Sequence, residues 1–318
     1  MAIINTGLLT KGLRSEFFQR LGEIAPATFF GKLCTTIPSN ADQETYRHLG
    51  QVPNMREWGT GRKANGLNVE AYTVANLKYE STLEVDRDEI SDDQTGQIRL
   101  RVNDMAQRAA THKDYLLSQL LINGSTAGFH SSDGVPFFDA AHSFGSSGSQ
   151  DNEIDFDISA SVTAYGEPDD VDLVGPRTAA AGIGKAFSTM ATFLDDQAQP
   201  INLGMTGLVV MCHPQQVFAF MTATGSAELN HVSNPMASMR IEVIPNPWLT
   251  DVSQWYLFKT DMGLKPFIFQ DREPLEFTAQ AEGSSEEFHR EKYYYGVRAR
   301  YRLTYGRWAH AVSVNFTT

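Results

Sequence analysis

The spacing of apolar residues predicts one long helix in the first half of the chain. Between residues 97 and 122 apolar side chains recur every three or four positions, and Asn123-Gly124 follows as a stop signal. At a rise of 1.5 Å per residue such a helix is roughly 40 Å long. We therefore expect a strut against which the other elements pack.

The residues before this helix predict an arm and a hairpin. Residues 15–33 have the spacing of an aromatic-rich amphipathic helix, broken near Pro26, which should dock in an apolar groove of something larger. Residues 68–74 and 78–85 read as strands that follow a polar, glycine-containing tip. We interpret the two strands as one long hairpin.

The second half of the chain alternates between the two periodicities. It predicts a helix over 178–194, a buried strand over 208–212, a helix that begins near Pro214, and strands over 240–244 and 255–258. This alternation is typical of an α/β region.

A strict period of two appears close to the C-terminus. Between residues 297 and 303 apolar residues alternate with Arg298, Arg300 and Arg302, which predicts a half-buried strand. A second alternating run, over 308–316, follows Gly306 and is interpreted as the hairpin partner of the first. We expect the three arginines to pair with carboxylates across strands or between subunits, in preference to contacting DNA.

Composition narrows the function classes. The 318-residue chain is 42% hydrophobic and carries a formal net charge of −12, which argues against tight binding of nucleic acid over its whole surface. No apolar run approaches the roughly 20 residues that cross a bilayer. No lysine or arginine lies between Lys113 and Arg177, so residues 145–172 are predicted to form an exposed acidic loop. Cys34 and Cys212 are expected to be reduced, buried thiols.

No arrangement of reactive side chains points to catalysis. Gly182-Ile183-Gly184-Lys185 lacks the spacing of a phosphate-binding loop, and we expect it to serve helix packing. His130 and His142, near two aspartates, do not match a metal-binding spacing, and Cys212-His213 would point to opposite faces of a strand. We therefore predict a protein that is not an enzyme and uses no cofactor or metal.

Several local sequences resemble the major head subunits of Mu-like bacteriophages. Trp58-Gly59-Thr60-Gly61-Arg62, the segment 79–90 with Asp93, and the segments 120–124 and 133–138 with His142 resemble that family's loop and long helix. The closing part resembles it at 265–270 with Arg272-Glu273, at 295–300 and at 305–308. The similarity runs in order along the whole chain.

This resemblance implies an α+β fold, the HK97-like fold of tailed-phage major capsid proteins. The domains expected from it are an N-terminal arm (1–45), an extended β-hairpin loop (46–86), a peripheral domain with the spine helix and the acidic loop (87–177), an axial domain (178–264), and closing strands of the peripheral domain (265–318).

The resemblance also implies a function. We expect pentamers and hexamers that assemble into an icosahedral head, with the hairpin lying across a neighbouring subunit and the arm filling a groove. The expected interface residues are Phe17, Phe18, Trp58, Arg62, Arg298, Arg300 and Arg302.

The partners implied are further copies of the chain, a portal and decoration proteins. A separate scaffold protein is expected because the chain begins almost directly at the arm. The shell would enclose double-stranded DNA without reading its sequence, would contact no membrane, and would be assembled in the bacterial cytoplasm and found in the virion.

Three other classes remain open from the residues. An encapsulin-like compartment would share the fold and enclose a protein cargo. A hydrolase or metal enzyme would be a small oligomer that depends on His130, His142 or His213. A tail or baseplate protein would form tubes or rings.

Overall fold

The computed structural model describes residues 6–46, 72–92, 96–144, 147–159, 170–229 and 231–318. The helices are α1 (Thr6–Ile24), α2 (Phe30–Leu33), α3 (Arg87–Asp92), α4 (Gln97–Ile122), α5 (Pro176–Ala191), α6 (Val217–Gly225) and α7 (Ser285–Arg290). The strands are β1 (Cys34–Pro38), β2 (Gln43–Tyr46), β3 (Tyr72–Ala75), β4 (Leu77–Asp86), β5 (Glu153–Asp157), β6 (Leu208–Cys212), β7 (Glu228–Leu229), β8 (Val232–Ser233), β9 (Glu242–Pro245), β10 (Gln254–Lys259), β11 (Phe267–Gln280), β12 (Lys292–Tyr305) and β13 (Ala311–Thr317).

The first sheet has four strands in the order β1-β11-β12-β4. Strand β1 runs parallel to β11, and the other pairs are antiparallel. Helix α4, which begins and ends where the periodicity predicts, packs on this sheet through Val102, Met105 and Ala106. Helix α1 packs against α4, so the arm lies on its own chain and contributes Leu13 and Phe17 to this cluster.

The second sheet has five strands in the order β5-β13-β10-β6-β9. Its strand β6 is buried at every position, as its uninterrupted apolar sequence predicts. On one face Trp255 contacts α6 through Phe220, with ring centroids 4.9 Å apart. On the other face Tyr256 donates a hydrogen bond to the carbonyl of Leu121 at the end of α4. Alternate residues of β10 thus bind the sheet to helices on both sides.

A tight corner joins the two sheets between β12 and β13. The N–H of Gly306 donates to the carbonyl of Pro266 over 2.7 Å. A Cβ at Gly306 would lie 2.5 Å from the Lys265 carbonyl oxygen, so only glycine fits this corner. The next residues form a short 3₁₀ helix whose Trp308 is fully buried and stacks on His142, with ring centroids 4.2 Å apart.

Two predicted hairpins are wrong in their pairing. Strand β4 pairs with β12 and not with the run before it, and β3 pairs with β2. Strands β12 and β13 do not form a hairpin, because β12 lies between β11 and β4 while β13 lies between β5 and β10. Residues 265–318 therefore contribute strands to both sheets.

The acidic segment is also more ordered than we predicted. Residues 153–157 of the expected loop 145–172 form β5, which pairs in parallel with β13. Glu153, Asp155 and Asp157 point outward and Ile154 is buried. Outward charges on an edge strand discourage pairing with another sheet edge, which gives this acidic stretch a physical role.

A buried carboxylate fixes the arm to α4. Asp114 is 3% exposed and accepts hydrogen bonds from the backbone N–H of Phe29 (3.1 Å) and Phe30 (2.8 Å). Burial raises the pKa of Asp114 to about 6, although both backbone hydrogen bonds act to lower it. The carboxylate thus holds the start of α2 at the cost of burying a charge near neutral pH.

Replacing Asp114 tests this attachment. Asp114→Ala leaves the two N–H groups without their acceptor, and we expect it to lower the free energy of unfolding by about 1–3 kcal/mol. Asp114→Asn keeps an acceptor oxygen and removes the charge. At pH 7 it should therefore lower the free energy of unfolding by less than Asp114→Ala does. Urea unfolding of the unassembled subunit measures both.

The stability of the protein relative to Asp114→Asn should increase as the pH falls. Since the folded-state pKa of Asp114 (about 6) lies above its usual value of 3.8, the folded protein takes up this proton first as the pH falls. Wild type should gain stability relative to Asp114→Asn between pH 7 and pH 5, by up to about 1.4 kcal/mol per pH unit. If the difference in unfolding free energy between wild type and Asp114→Asn is the same at pH 7 and at pH 5, the raised pKa is contradicted.

Candidate assembly surfaces

The two predicted aromatic interface residues lie in different environments. Phe17 is fully buried and packs on Phe277 of β11, with ring centroids 5.4 Å apart. It therefore has no free surface for a neighbouring subunit, and its placement at an interface is corrected. Phe18, one residue on, is 36% exposed because it lies on the outer side of α1, with the Arg14 guanidinium 6.0 Å from its ring centroid.

The predicted arginines form ion pairs within the chain. Arg298 and Arg300 both donate to the carboxylate of Glu273 on the neighbouring strand β11, at 2.8 and 2.9 Å. Arg300 also donates to Asp42 over 2.9 Å. The expected pairing of arginines with carboxylates across strands is confirmed for these two residues, and it uses the groups that a phosphate backbone would need. Arg302 is half-buried and contributes to the surroundings of Tyr72 and Tyr79.

Trp58 and Arg62 lie outside the described residues, within 47–71. Their predicted roles stay predictions.

Two residues that were candidates for chemistry, His142 and Gly182, contribute to packing. His142 is fully buried, its Nδ1 lies 2.6 Å from an oxygen of Asp133, and its Nε2 lies 3.2 Å from the carbonyl of Phe137. A Cβ on Gly182 would lie 3.1 Å from both Phe316 and Trp255, so this glycine allows α5 to lie close to the sheet. Over the described ranges no three His, Cys, Asp or Glu residues are grouped as metal ligands would be.

The two cysteines are buried and free. Burial raises the pKa of Cys212 to about 12, and burial also raises the pKa of Cys34. Both thiols are therefore kept protonated and unreactive, as expected from their isolated positions.

Exposed apolar side chains on α6 form a surface that the sequence analysis did not select. Phe218 is 78% exposed and Met221 is 53% exposed, three residues apart and thus on one face of the helix. Leu173, at 67%, lies in a turn that is tied to the start of α6, since Gln216 donates to the carbonyl of Val171. We call these three residues the α6 patch.

The signal for this patch was present in the sequence. Helix α6 opens with five consecutive apolar residues, 217–221, and a short helix that is apolar on all sides has more apolar surface than one sheet can cover. The opposite side holds Phe220 and Ala223, which are fully buried. What remains outside is an apolar face suited to another protein surface.

A second exposed apolar group stands at the far end of the first sheet. Phe288, in α7 between β11 and β12, is 84% exposed. An ordinary surface helix would present charged groups here, and Phe288 is flanked by such groups on both sides, Glu287 and His289.

An open groove lies between α1, α4 and β11. It has a volume of about 590 Å³ and is lined by apolar side chains such as Phe18, Leu21 and Leu275. Lys113 lies at its wall with its ammonium 4.3 Å from the ring centroid of Phe269, 4.9 Å from that of Phe30 and 5.4 Å from that of Tyr301. Burial lowers the pKa of Lys113, and the aromatic faces offset part of the cost of burying its charge.

No helix in the described part of the chain is long and apolar enough to cross a membrane.

Comparison with known proteins gives this architecture a family. The model of the Mu-like prophage major head subunit gpT family matches residues 7–165 and 250–317. The major capsid protein of Escherichia phage Mu is 32% identical over 125 residues, which are 39% of this chain and 40% of that protein. The Mu-like prophage FluMu major head subunit of Haemophilus influenzae is 22% identical over 294 residues, which are 91% of this chain and 67% of that protein. The part of this chain that matches the phage Mu protein thus spans less than half of that protein's length.

Solved capsid structures share the fold. The procapsid of bacteriophage JBD30 aligns with a TM-score of 0.54 at 22% identity, over 98% of this chain and 76% of that one. The virus-like particle from Pyrococcus furiosus aligns with a TM-score of 0.54 at 9% identity, over 96% of this chain and 98% of that one. The chain has the α+β fold of phage capsid subunits, and the matched family consists of structural proteins and not of enzymes. It belongs to the Mu-like prophage major head subunit gpT family.

Proposed function

We propose that this chain is the major capsid subunit of a tailed phage and that its copies assemble, through pentamers and hexamers, into a closed icosahedral head around double-stranded DNA. The observation that carries the proposal is the family match, which covers the arm, α4 and the closing strands. Those elements build the first sheet and its helices and reach into the second sheet at β13.

The surface of the described residues supports an assembling protein. Large apolar side chains remain exposed at separate places, on α6 and at the tip of the β11–β12 hairpin. A monomer gains nothing from exposing a phenylalanine by 84% or 78%, whereas a subunit that is surrounded by copies can bury both. Contacts that are individually weak become stable when they repeat around closed rings.

The charges support a container for DNA more than a DNA-reading protein. The net charge is −12, and Arg298 and Arg300 are paired with carboxylates of their own chain. Such a surface lets a densely packed genome lie inside the shell without binding tightly to its wall.

Further partners belong to the same proposal. A head that holds a genome needs a portal through which DNA enters, and we infer a separate scaffold protein and decoration proteins as additional partners. The assembled chain would be found in the virion after assembly in the cytoplasm of the bacterial host.

Particle formation tests the proposal directly. Expressed alone and with its scaffold, the protein should give closed polyhedral particles or capsomer rings in negative-stain electron microscopy. Nuclease-protected DNA in particles from infected cells would agree with a phage head, whereas a protein cargo would indicate an encapsulin-like compartment. A monodisperse small oligomer under both conditions would contradict a shell of either kind.

The α6 patch gives a second prediction. Phe218→Ser combined with Met221→Ser should leave the subunit folded, because both side chains are mostly exposed, and should lower the particle yield by about tenfold or more through lost apolar contact at every copy. Particle yield by sedimentation and folding by circular dichroism are the measurements. Leu100→Ser is the control, since Leu100 is 62% exposed on α4, far along the chain from α6. Equal yields from the double variant and wild type would exclude the patch from assembly.

A further inference from the structure

The tip of the β11–β12 hairpin holds Phe288 in a defined outward position. The side chain of Ser284 accepts a hydrogen bond from the N–H of Glu287 and so caps α7. The Glu287 carboxylate accepts hydrogen bonds from the Tyr293 hydroxyl (2.7 Å) and from the N–H of Gly283 (2.6 Å). These bonds fix the short helix, so its phenylalanine is presented to solvent by a braced element rather than by a free loop.

The groove between α1, α4 and β11 has the size and lining to receive such a ring. Its volume of about 590 Å³ lies within the roughly 300–1,000 Å³ typical of sites that bury a small ligand. Phe18 is partly exposed at one wall and Leu275 lies at the other. An aromatic side chain placed between them would gain contact on both faces.

The charges around the two features are complementary. In the described chain, the ammonium of Lys113 and the guanidinium of Arg14 have no carboxylate within 4 Å and lie over aromatic rings, while Asp271 and Glu273 also line the groove and Asp271 acts on Lys113 from farther away. The tip segment 282–292 carries four acidic residues against two basic ones, Glu282, Glu286, Glu287 and Glu291 against Arg290 and Lys292. A carboxylate brought in with the tip would give the half-buried Lys113 a closer counter-charge than Asp271 does.

We propose that Phe288 of one copy inserts into the groove between α1, α4 and β11 of a second copy, with the acidic tip segment 282–292 facing Lys113 and Arg14. This inference rests on the proposed shell function and names one contact within it. The occupant is a second copy because one chain carries both halves, a protruding ring and an open groove. Two different surfaces that fit each other give a head-to-tail contact, which is the kind that builds rings and larger closed assemblies.

Disulfide trapping tests the contact. One variant carries His289→Cys, an exposed position next to Phe288 that leaves the ring in place, and another carries Ala25→Cys, an exposed residue that lines the groove. When the two variants are mixed before assembly and then oxidised, a disulfide between positions 25 and 289 joins two chains and gives a dimer on a non-reducing gel. The natural cysteines are both buried and free, so they contribute little background.

In the control, Leu173→Cys takes the place of Ala25→Cys. Leu173 is 67% exposed and lies in the α6 patch, away from the groove lining. We expect at least about tenfold more dimer with Ala25→Cys than with Leu173→Cys, because a disulfide requires Cβ atoms within roughly 4.5 Å. Equal or greater dimer with Leu173→Cys would overturn the proposed register.

Particle yield gives an independent readout. Phe288→Ala should lower the yield by about tenfold, and Phe288→Leu should lower it less because part of the apolar side chain remains. Normal particles from Phe288→Ala together with no specific dimer would overturn this contact and leave the shell function standing. If wild type itself forms no particles, the proposed function fails first, and the contact falls with it.

Discussion

The packing of α4 against both hydrophobic clusters is the interaction on which the rest of the fold depends. The first half of the helix covers the four-stranded sheet through Val102 and Met105, and its last turns reach the main core through Leu117 and Leu121. Since one rigid helix takes part in both clusters, the two sheets cannot move independently without exposing apolar surface. Asp114, near the middle, adds the arm to the same helix through two backbone hydrogen bonds.

The hydrophobic cores of the subunit are filled, and further apolar side chains lie exposed on its surface. Aromatic residues such as Trp255 and Phe220 fill the space between sheet and helices, and small residues such as Gly182 let α5 lie close. Apolar side chains beyond what these cores hold remain outside, on α6 and at the hairpin tip. In a member of a head subunit family, such leftover apolar surface is what assembly can use, because it lowers the solubility of a free subunit while favouring its association.

Candidate interface residues were harder to predict than the elements that carry them. Phe17, an aromatic residue of the arm, was expected at an interface between subunits because an isolated amphipathic helix gives no information on what covers its apolar face. Here α4 and β11 of the same chain cover it. Phe218 was assigned to a helix correctly, yet its exposure depends on which side of α6 meets the sheet, and Phe220 takes that side. The cross-strand pairing of Arg298 and Arg300 with a carboxylate was predicted correctly because a period of two fixes their face, and Glu273 lies on the adjacent strand.

The sequence by itself determined where the main helices and strands lie. The bounds of α4, the strand over 208–212 and the alternating strand around Arg298–Arg302 follow from apolar periodicity and stop signals, which act over a few residues. Only the tertiary structure decided which strands pair: β4 with β12, β3 with β2, and β13 with β10 and β5. The physical reason is that pairing joins residues far apart in the chain, where the same alternation is satisfied by several partners. The choice among them is made by corners such as Gly306 and by the burial of Trp308.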